Sequence, residues 1–176
     1  QTNIVDENSQ VNPLTAYSKA NRAAEIDNLS LNDGNFAVTV LRFSSIFGLS
    51  PRMRFDLAVN SFVLDLFNTK KISVQGKNNR RPFLHIKDAI RAYKLVLQSA
   101  KDKIAGQIFN VGSDNQNYLI NDLVHEIRDA IGNNCEIEAK DTHDNRSYVA
   151  SFKKIRSTLG FESNYDVKYG AGEIFD

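Results

Sequence analysis

The stretch TAYSKANRAAEIDNLSLNDGNFAVTVLR, residues 15–42, sets the fold class. Thr15 is a favoured N-cap type with Pro13 just before it, so a helix is predicted from about Thr15 to about Asn32, where NDGN closes it. The alternating and β-branched residues of FAVTVLR then predict a strand over 36–42, ending in the turn SSIFGLSP. Helix, loop and strand in that order make one α/β unit. A lone strand of this kind cannot build the covered parallel sheet it needs, so further sheet is expected from elsewhere.

Beyond Pro51 the pattern stays mixed. FDLAVNSFVLDLFNTK places Leu57, Phe62 and Leu66 on one helical stripe, followed by the short strand KISVQG and a turn rich in Lys and Asn. RPFLHI reads as another short strand. KDAIRAYKLVLQSA predicts an amphipathic helix with Ile90, Tyr93, Leu95 and Leu97 mostly inward and Asp88 capping or charging its start. GQIFNVG is a strand, YLINDLVHEIRDAIG a helix stopped by Gly132, and CEIEAK a strand; terminal helices are predicted around SFKKIRSTLGF and VKYGAGEIFD. The boundary near Gly48 to Pro51 divides a leading unit, 1–50, from a second one, 51–176.

Bulk composition excludes several function classes. The 176 residues are 41% hydrophobic, enough for a core, and carry 22 basic against 21 acidic side chains. A formal charge of +1 lacks the cationic excess of a phosphate-backbone binder, so nucleic acid is not expected as a partner. Cys135 is alone, which excludes an internal disulfide and a cysteine-based metal cluster and fits a reducing, cytoplasmic compartment. No apolar run approaches the ~20 residues that cross a bilayer, so no membrane insertion is expected. His85, His125 and His143 neither cluster nor show ligand spacing, so no metal site is predicted; His85, alternating with apolar neighbours, reads as a core histidine satisfied by backbone.

The chemistry concentrates around Tyr17. A tyrosine with a lysine four residues on is a proton-transfer device: a phenol of pKa ~10 is a poor base at neutral pH and needs a nearby cation. At about 100° per residue, the i+4 position returns to within roughly 40° of the tyrosine, whereas i+2 lies about 200° round the helix. Here Asn21 holds the i+4 place and Lys19 the i+2 place, so Lys19 points away.

The ordered segments VDENSQVNPLTAYSKANRAAE, VTVLRFSSIFGLSPRMRFDLAVN, RRPFLHIKDAIRAY, GQIFNVGSDNQNYLINDLVHEIRDAI and DNRSYVASFKKIRSTLGF resemble the second half of the extended short-chain dehydrogenase/reductases, in their NAD-dependent nucleotide-sugar epimerase/dehydratase branch. The resemblance covers essentially the whole chain. It implies the C-terminal part of a Rossmann-type NAD(P)-binding fold, with the active-site helix and last strand in 1–50, plus a small mixed α/β substrate-binding domain in 51–176. It also implies that Tyr17 is the acid/base exchanging a proton with a sugar hydroxyl. Pro13 and Glu25 keep the family spacing around Tyr17, so Asn21 is a substitution at the lysine place; its amide can hydrogen-bond the nicotinamide ribose but brings no charge.

By the same resemblance, Phe43 and Ser44 lie near the nicotinamide and Ser45 faces the sugar nucleotide, although hydroxyls capping a strand-end turn are an equal reading for Ser44. Arg81 and Arg146 are implied as diphosphate arginines, for which a planar guanidinium is suited; surface salt bridges are the alternative for each. Asn60 contacts substrate on this reading and Gln75 sits where the base packs, with a solvated turn as the alternative. Arg54 and Asp56 read as a structural ion pair. The expected ligand is a nucleoside-diphosphate sugar, and the cofactor of the intact parent is NAD or NADP.

The family's glycine-rich pyrophosphate turn has no counterpart in this sequence, whose glycines are scattered. The chain is therefore expected to be the C-terminal half of a longer protein, inactive in isolation and binding no cofactor by itself. A non-catalytic nucleotide-sugar or dinucleotide binder is the alternative. Sheet surface left open by a missing half is expected to attract that half or to drive homo-oligomerisation.

Overall fold

The computed structural model describes residues 4–132, 135–140 and 147–176. The leading helix, α1 (Ala16–Ser30), starts where the sequence places it: Thr15 Oγ1 accepts from Ser18 N at 3.1 Å, and Ser18 Oγ accepts from Thr15 N at 3.0 Å. That reciprocal pair satisfies two donors that a helix start leaves free. No residue of α1 is buried.

The following strand, β2 (Thr39–Phe43), begins three residues later than predicted. Side chains already occupy the preceding backbone: Phe36 N donates to Asp33 Oδ1 at 2.7 Å and Val38 N to Asn32 Oδ1 at 2.9 Å. Residues 36–38 are thus a continuation of the turn, and the ladder opens at Thr39 opposite Gln107. The partner is β6 (Gln107–Val111), parallel in register through Phe43 and Val111.

The predicted turn SSIFGLSP contains a strand, β3 (Ser45–Phe47), parallel to β5 (Arg80–His85), which pairs in turn antiparallel with β7 (Asn117–Leu119). Tyr118 and Leu119 therefore belong to a strand rather than to the predicted helix, which starts at Ile120. Gly48 ends β3 with φ of 116°, and a Cβ there would lie 2.5 Å from His85 Nε2. Only glycine fits both the backbone angle and that space.

The remaining strands are β4 (Lys71–Gln75) parallel to β8 (Glu136–Lys140), and β1 (Ile4–Val5) parallel to β9 (Val149–Ala150). Helices α2 (Ala58–Thr69) and α5 (Ile120–Ile131) pack against β4 around Val59, Leu66, Ile72, Leu123 and Ile127, each 0% exposed, and α7 (Val167–Phe175) packs on both helices. A second core joins β5 and β6 to α3 (Ile86–Gln98) and α6 (Lys153–Leu159) through Leu84, Ala92, Phe109 and Ile155. A short helix, α4 (Lys101–Ile104), links α3 to β6. Gly132 ends α5 in the left-handed conformation, as the sequence predicts.

Helix α3 turns a different face inward than its apolar residues suggest. Ala89, Ala92 and Val96 are buried and Leu95 is half-buried, while Ile90, Tyr93 and Leu97 are 49%, 55% and 82% exposed. The reason is Asp88. Its carboxylate is fully buried and accepts from Asn164 N at 3.1 and 3.0 Å, Tyr165 N at 3.0 Å and Arg91 at 2.6 Å, which draws its side of the helix onto the 164–165 backbone. Asp88 does not cap the helix; His85 Nδ1 does, accepting from Lys87 N at 3.2 Å. No helix among the described residues is long and apolar enough to cross a membrane.

Candidate active site

Two clefts meet at Ile46. The first, about 940 Å³, lies between the exposed face of α1 and strand β2; Tyr17, Asn21, Phe43 and Ser44 all line it. The second, about 360 Å³, is lined by Ser45, Gln75 and Arg81 together with Asp56, Asn79 and Phe62. Ile46 belongs to both walls. The residues assigned to cofactor thus share one cleft, although Phe43 and Ser44 also line a separate hollow formed with Val5, Asp6 and Gln10, and the assigned substrate residues Ser45, Gln75 and Arg81 fall in the neighbouring cleft.

Tyr17 is 78% exposed and projects from the first turn of α1. The helix is held to the sheet by one carboxylate: Glu25 accepts from Arg42 Nε at 2.9 Å and Nη2 at 2.6 Å, and also pairs with Arg22. The bidentate Arg42 bond, with both arginine charges adding to it, keeps the Glu25 carboxyl below its ordinary range despite burial. In the sequence Glu25 is marked only by its spacing from Tyr17, and the signal for its structural role is an acid on the helix followed by Arg42 in the next strand. Arg42 also donates to Glu7 O at 3.3 Å, while Glu7 Oε1 accepts from Asn110 N at 2.8 Å, so residues 4–10, α1 and both strands of the β2–β6 pair are tied together.

Ser44 is buried and its hydroxyl donates to Val111 O at 2.9 Å. That bond satisfies the hydroxyl at the strand end, while the residue remains on the cleft wall. Behind it a Cβ on Gly112 would lie within the space of the Ser44 hydroxyl and 2.5 Å from the Phe152 ring.

Asn60 is 2% exposed and does not line either cleft. Its Oδ1 accepts from Gly48 N at 3.1 Å and its Nδ2 donates to Arg54 O at 3.1 Å, so it staples the 48–54 loop onto α2. Arg54 and Asp56 form the expected ion pair at 2.6 Å on the surface. Asp56 also lines the second cleft. Arg81 is half-buried opposite Tyr118 on β7, and its charge partly offsets the burial that pushes the Tyr148 phenol up. Arg146 and His143 lie outside the described residues.

Under the clefts, His85 is fully buried against Phe47, Tyr165 and Tyr169, with ring centroids 5.2–5.6 Å apart. Nδ1 accepts a backbone N–H, as expected, and that leaves Nε2 to donate to Glu173 Oε2 at 3.1 Å. Burial lowers the His85 pKa, with the Glu173 carboxylate working the other way. Glu173 also pairs with Lys87, which contacts the Tyr169 hydroxyl at 2.9 Å. Glu173 escaped the sequence reading because its partners are 86 and 88 residues away. Among the described residues no group of three His, Cys, Asp or Glu side chains is arranged to hold a metal.

The first cleft offers polar donors beside an aromatic ring. Tyr17 and Asn21 offer a hydroxyl and an amide on one helix face beside the Phe43 ring. A glycine-rich turn for the pyrophosphate is not in the sequence.

The fold is shared with solved structures. The UDP-glucuronic acid 4-epimerase of Bacillus cereus, in complex with UDP-glucuronic acid and NAD, superposes with a TM-score of 0.85 at 20% identity, covering 100% of this chain and 56% of that one. RMD from Pseudomonas aeruginosa, complexed with NADPH, gives 0.83 at 20% identity over 96% of this chain and 58% of that one. In sequence, a dTDP-glucose 4,6-dehydratase of Streptomyces niveus is 28% identical over 163 residues, 89% of this chain and 46% of that protein. A putative UDP-glucose 4-epimerase of Methanocaldococcus jannaschii is 26% identical over 176 residues, 97% of this chain and 55% of that protein. The chain spans about half the length of these relatives. The model of the NAD dependent epimerase/dehydratase family matches residues 1–112, more than half of the sequence, and the chain belongs to that family.

Proposed function

We propose that this chain supplies the sugar-nucleotide side and the proton-transfer helix of a site that epimerises or dehydrates a nucleoside-diphosphate sugar. The observation that carries this reading is the sorting of residues into two adjoining clefts: Tyr17, Asn21, Phe43 and Ser44 in one, Ser45, Gln75 and Arg81 in the other. Tyr17, exposed on its helix, takes and returns the proton of a sugar hydroxyl. Asn21 orients the ribose of the dinucleotide, and Phe43 and Ser44 flank the nicotinamide. Ser45 meets the sugar, Gln75 the base, and Arg81 with Arg146 the diphosphate; Asn60 acts from behind, by fixing the 48–54 loop. A bound NAD or NADP supplies the hydride acceptor.

Residues 1–50 form the cofactor side, with Ser45 reaching across, and residues 51–176 the sugar side of this site. The chain corresponds to the C-terminal half of such an enzyme, holds little dinucleotide by itself and does not turn over alone; its open α1 face is covered in the intact protein by the other half or by a second copy. The second reading, a sugar-nucleotide binder without catalysis, is favoured by Asn21, which leaves the i+4 place of Tyr17 without charge.

Calorimetric titration of the 176-residue chain with UDP-glucose and dTDP-glucose tests the proposal. Binding of at least one is expected, with Arg81→Ala weakening it by roughly tenfold or more, the scale of a lost charge-assisted contact. No binding of either, or identical binding by Arg81→Ala, overturns the sugar-nucleotide reading. Turnover of either sugar nucleotide by the chain with added NAD overturns its proposed inactivity.

A further inference from the structure

Strands β3 and β5 form a ladder of three rungs, Ser45 with Phe83, Ile46 with Leu84 and Phe47 with His85. The first rung stands in the second cleft, which both Ser45 and Phe83 line. The last rung stands in the core, where Phe47 and His85 are buried edge to face at 5.2 Å. Side chains two apart on a strand share a face, so Ser45 and Phe47 point to the same side of the sheet, about 7 Å apart.

The last rung is covered by α7. Gly170 is buried in that helix, and a Cβ there would lie 2.5 Å from the Phe47 ring and 2.9 Å from the His85 ring. Its backbone is helical, so this glycine is required by space and not by conformation. One turn further, Glu173 accepts from His85 Nε2 at 3.1 Å and pairs with Lys87, which fixes the rotation of α7 about its axis. Gly172, on the same helix, has no atom within 4 Å of a Cβ placed there. The cleft lining is continuous with this packing, since Val59, Phe62, Phe83 and Ile120 belong both to the cleft and to the core that holds Phe47. Interiors packed this closely pass a displacement on rather than absorb it.

We infer that α7 is a positioning element of the sugar-nucleotide cleft: the missing side chain at Gly170 sets how near the helix comes to Phe47, and the β3–β5 ladder carries that setting to Ser45. This rests on the reading of the second cleft as the sugar-nucleotide site. Gly170 is a positioning residue. It acts through Phe47, from the side of the ladder away from the ligand.

A cycle of variants in the 176-residue chain tests this, with the dissociation constant of UDP-glucose or dTDP-glucose read by calorimetry at a temperature where circular dichroism shows each variant folded. Gly170→Ala overpacks the Phe47 contact and is expected to weaken binding roughly three- to tenfold, less than the loss that a misplacement of about 1 Å can cause. Gly172→Ala, the same change without a contact, keeps the wild-type constant. Phe47→Leu opens a gap and also weakens binding, and adding it to Gly170→Ala recovers affinity, because the methyl group enters the space that the ring leaves. Recovery in the double variant relative to Phe47→Leu is decisive even where Gly170→Ala alone does not fold. An unchanged constant in folded Gly170→Ala overturns the inference, as does a loss that Gly172→Ala shares or a double variant no better than Phe47→Leu. Amide exchange without ligand supplies the independent arm: residues 45–48 exchange faster in Gly170→Ala and at the wild-type rate in Gly172→Ala. A wild-type chain that binds neither sugar nucleotide overturns the underlying reading instead, and equal exchange of 45–48 in wild type and Gly170→Ala then overturns the coupling of α7 to β3.

Discussion

The packing of α1 and that of α2 differ in kind. Helix α2 buries Val59, Asn60, Phe62, Val63 and Leu66, whereas α1 buries nothing and hangs on the Glu25–Arg42 pair. The contrast separates stability from chemistry. Tyr17 and Asn21, assigned to proton transfer and the ribose, lie on the weakly packed element, and Ser45, Gln75 and Arg81, assigned to the sugar nucleotide, lie on strands backed by the main core. A phenol that must meet two ligands belongs on an element whose covering surface is supplied by something else.

The sharpest way to break that contrast is in the core. Leu66→Ala, at a side chain with 0% exposure, should cost roughly 2–5 kcal/mol in urea unfolding, while Ile26→Ala on α1, where the side chain is 52% exposed, should stay within about 0.5 kcal/mol. Equal losses would mean that α1 is packed as tightly as α2. Next comes the clasp: Glu25→Ala strands a half-buried Arg42 and should lower the local opening free energy of residues 16–30 by about 1–3 kcal/mol, read as faster amide exchange there with little change in α5. Uniform acceleration across both helices would show that α1 unfolds only with the core.

His85 gives the core a pH signature of its own. Its folded-state pKa lies below the ordinary 6.5, so the unfolded chain binds the proton more readily and stability falls as pH drops from about 6.5 toward the lower folded value. The slope contributed by one such group is at most about 1.4 kcal/mol per pH unit. His85→Gln should remove this part of the slope between wild type and variant. Depressed carboxylates such as Glu25 act separately: their stability is present above the unfolded value of 4.5 and is lost as pH falls below it. The smallest effect is expected at Arg54→Gln, whose exposed ion pair should leave the urea midpoint unchanged. A clear midpoint shift would make that pair a structural one.

Much of this was legible because local rules and tertiary context agree. Thr15, Gly132 and the periodic Ile120, Leu123, Val124 and Ile127 mark their helices without help from the rest of the chain. The three-residue strands β3 and β7 were not legible, since their pairing with β5 is set by partners 35–39 residues away. Helix α3 has two apolar faces, and the buried Asp88, bonded to backbone 76–77 residues distant, decides which one is covered. The grouping of Tyr17 with Asn21 follows from helix geometry and Arg81 with Gln75 from neighbouring strand ends, so that part of the site could be read in advance. The work of Asn60 could not, because a buried amide serving two loop backbone groups looks in sequence like any pocket asparagine.

The clasp at Glu25 also sets a mechanical limit. Tyr17 stands eight residues up the helix from it, about 12 Å at 1.5 Å per residue. With Glu25 as fulcrum, a tilt of about 10° swings the phenol by roughly 2 Å, several times the ~0.5 Å tolerance that productive proton transfer demands. The helix is a lever held at one end, and whatever surface comes to rest along its exposed side aims the hydroxyl as well as covering it.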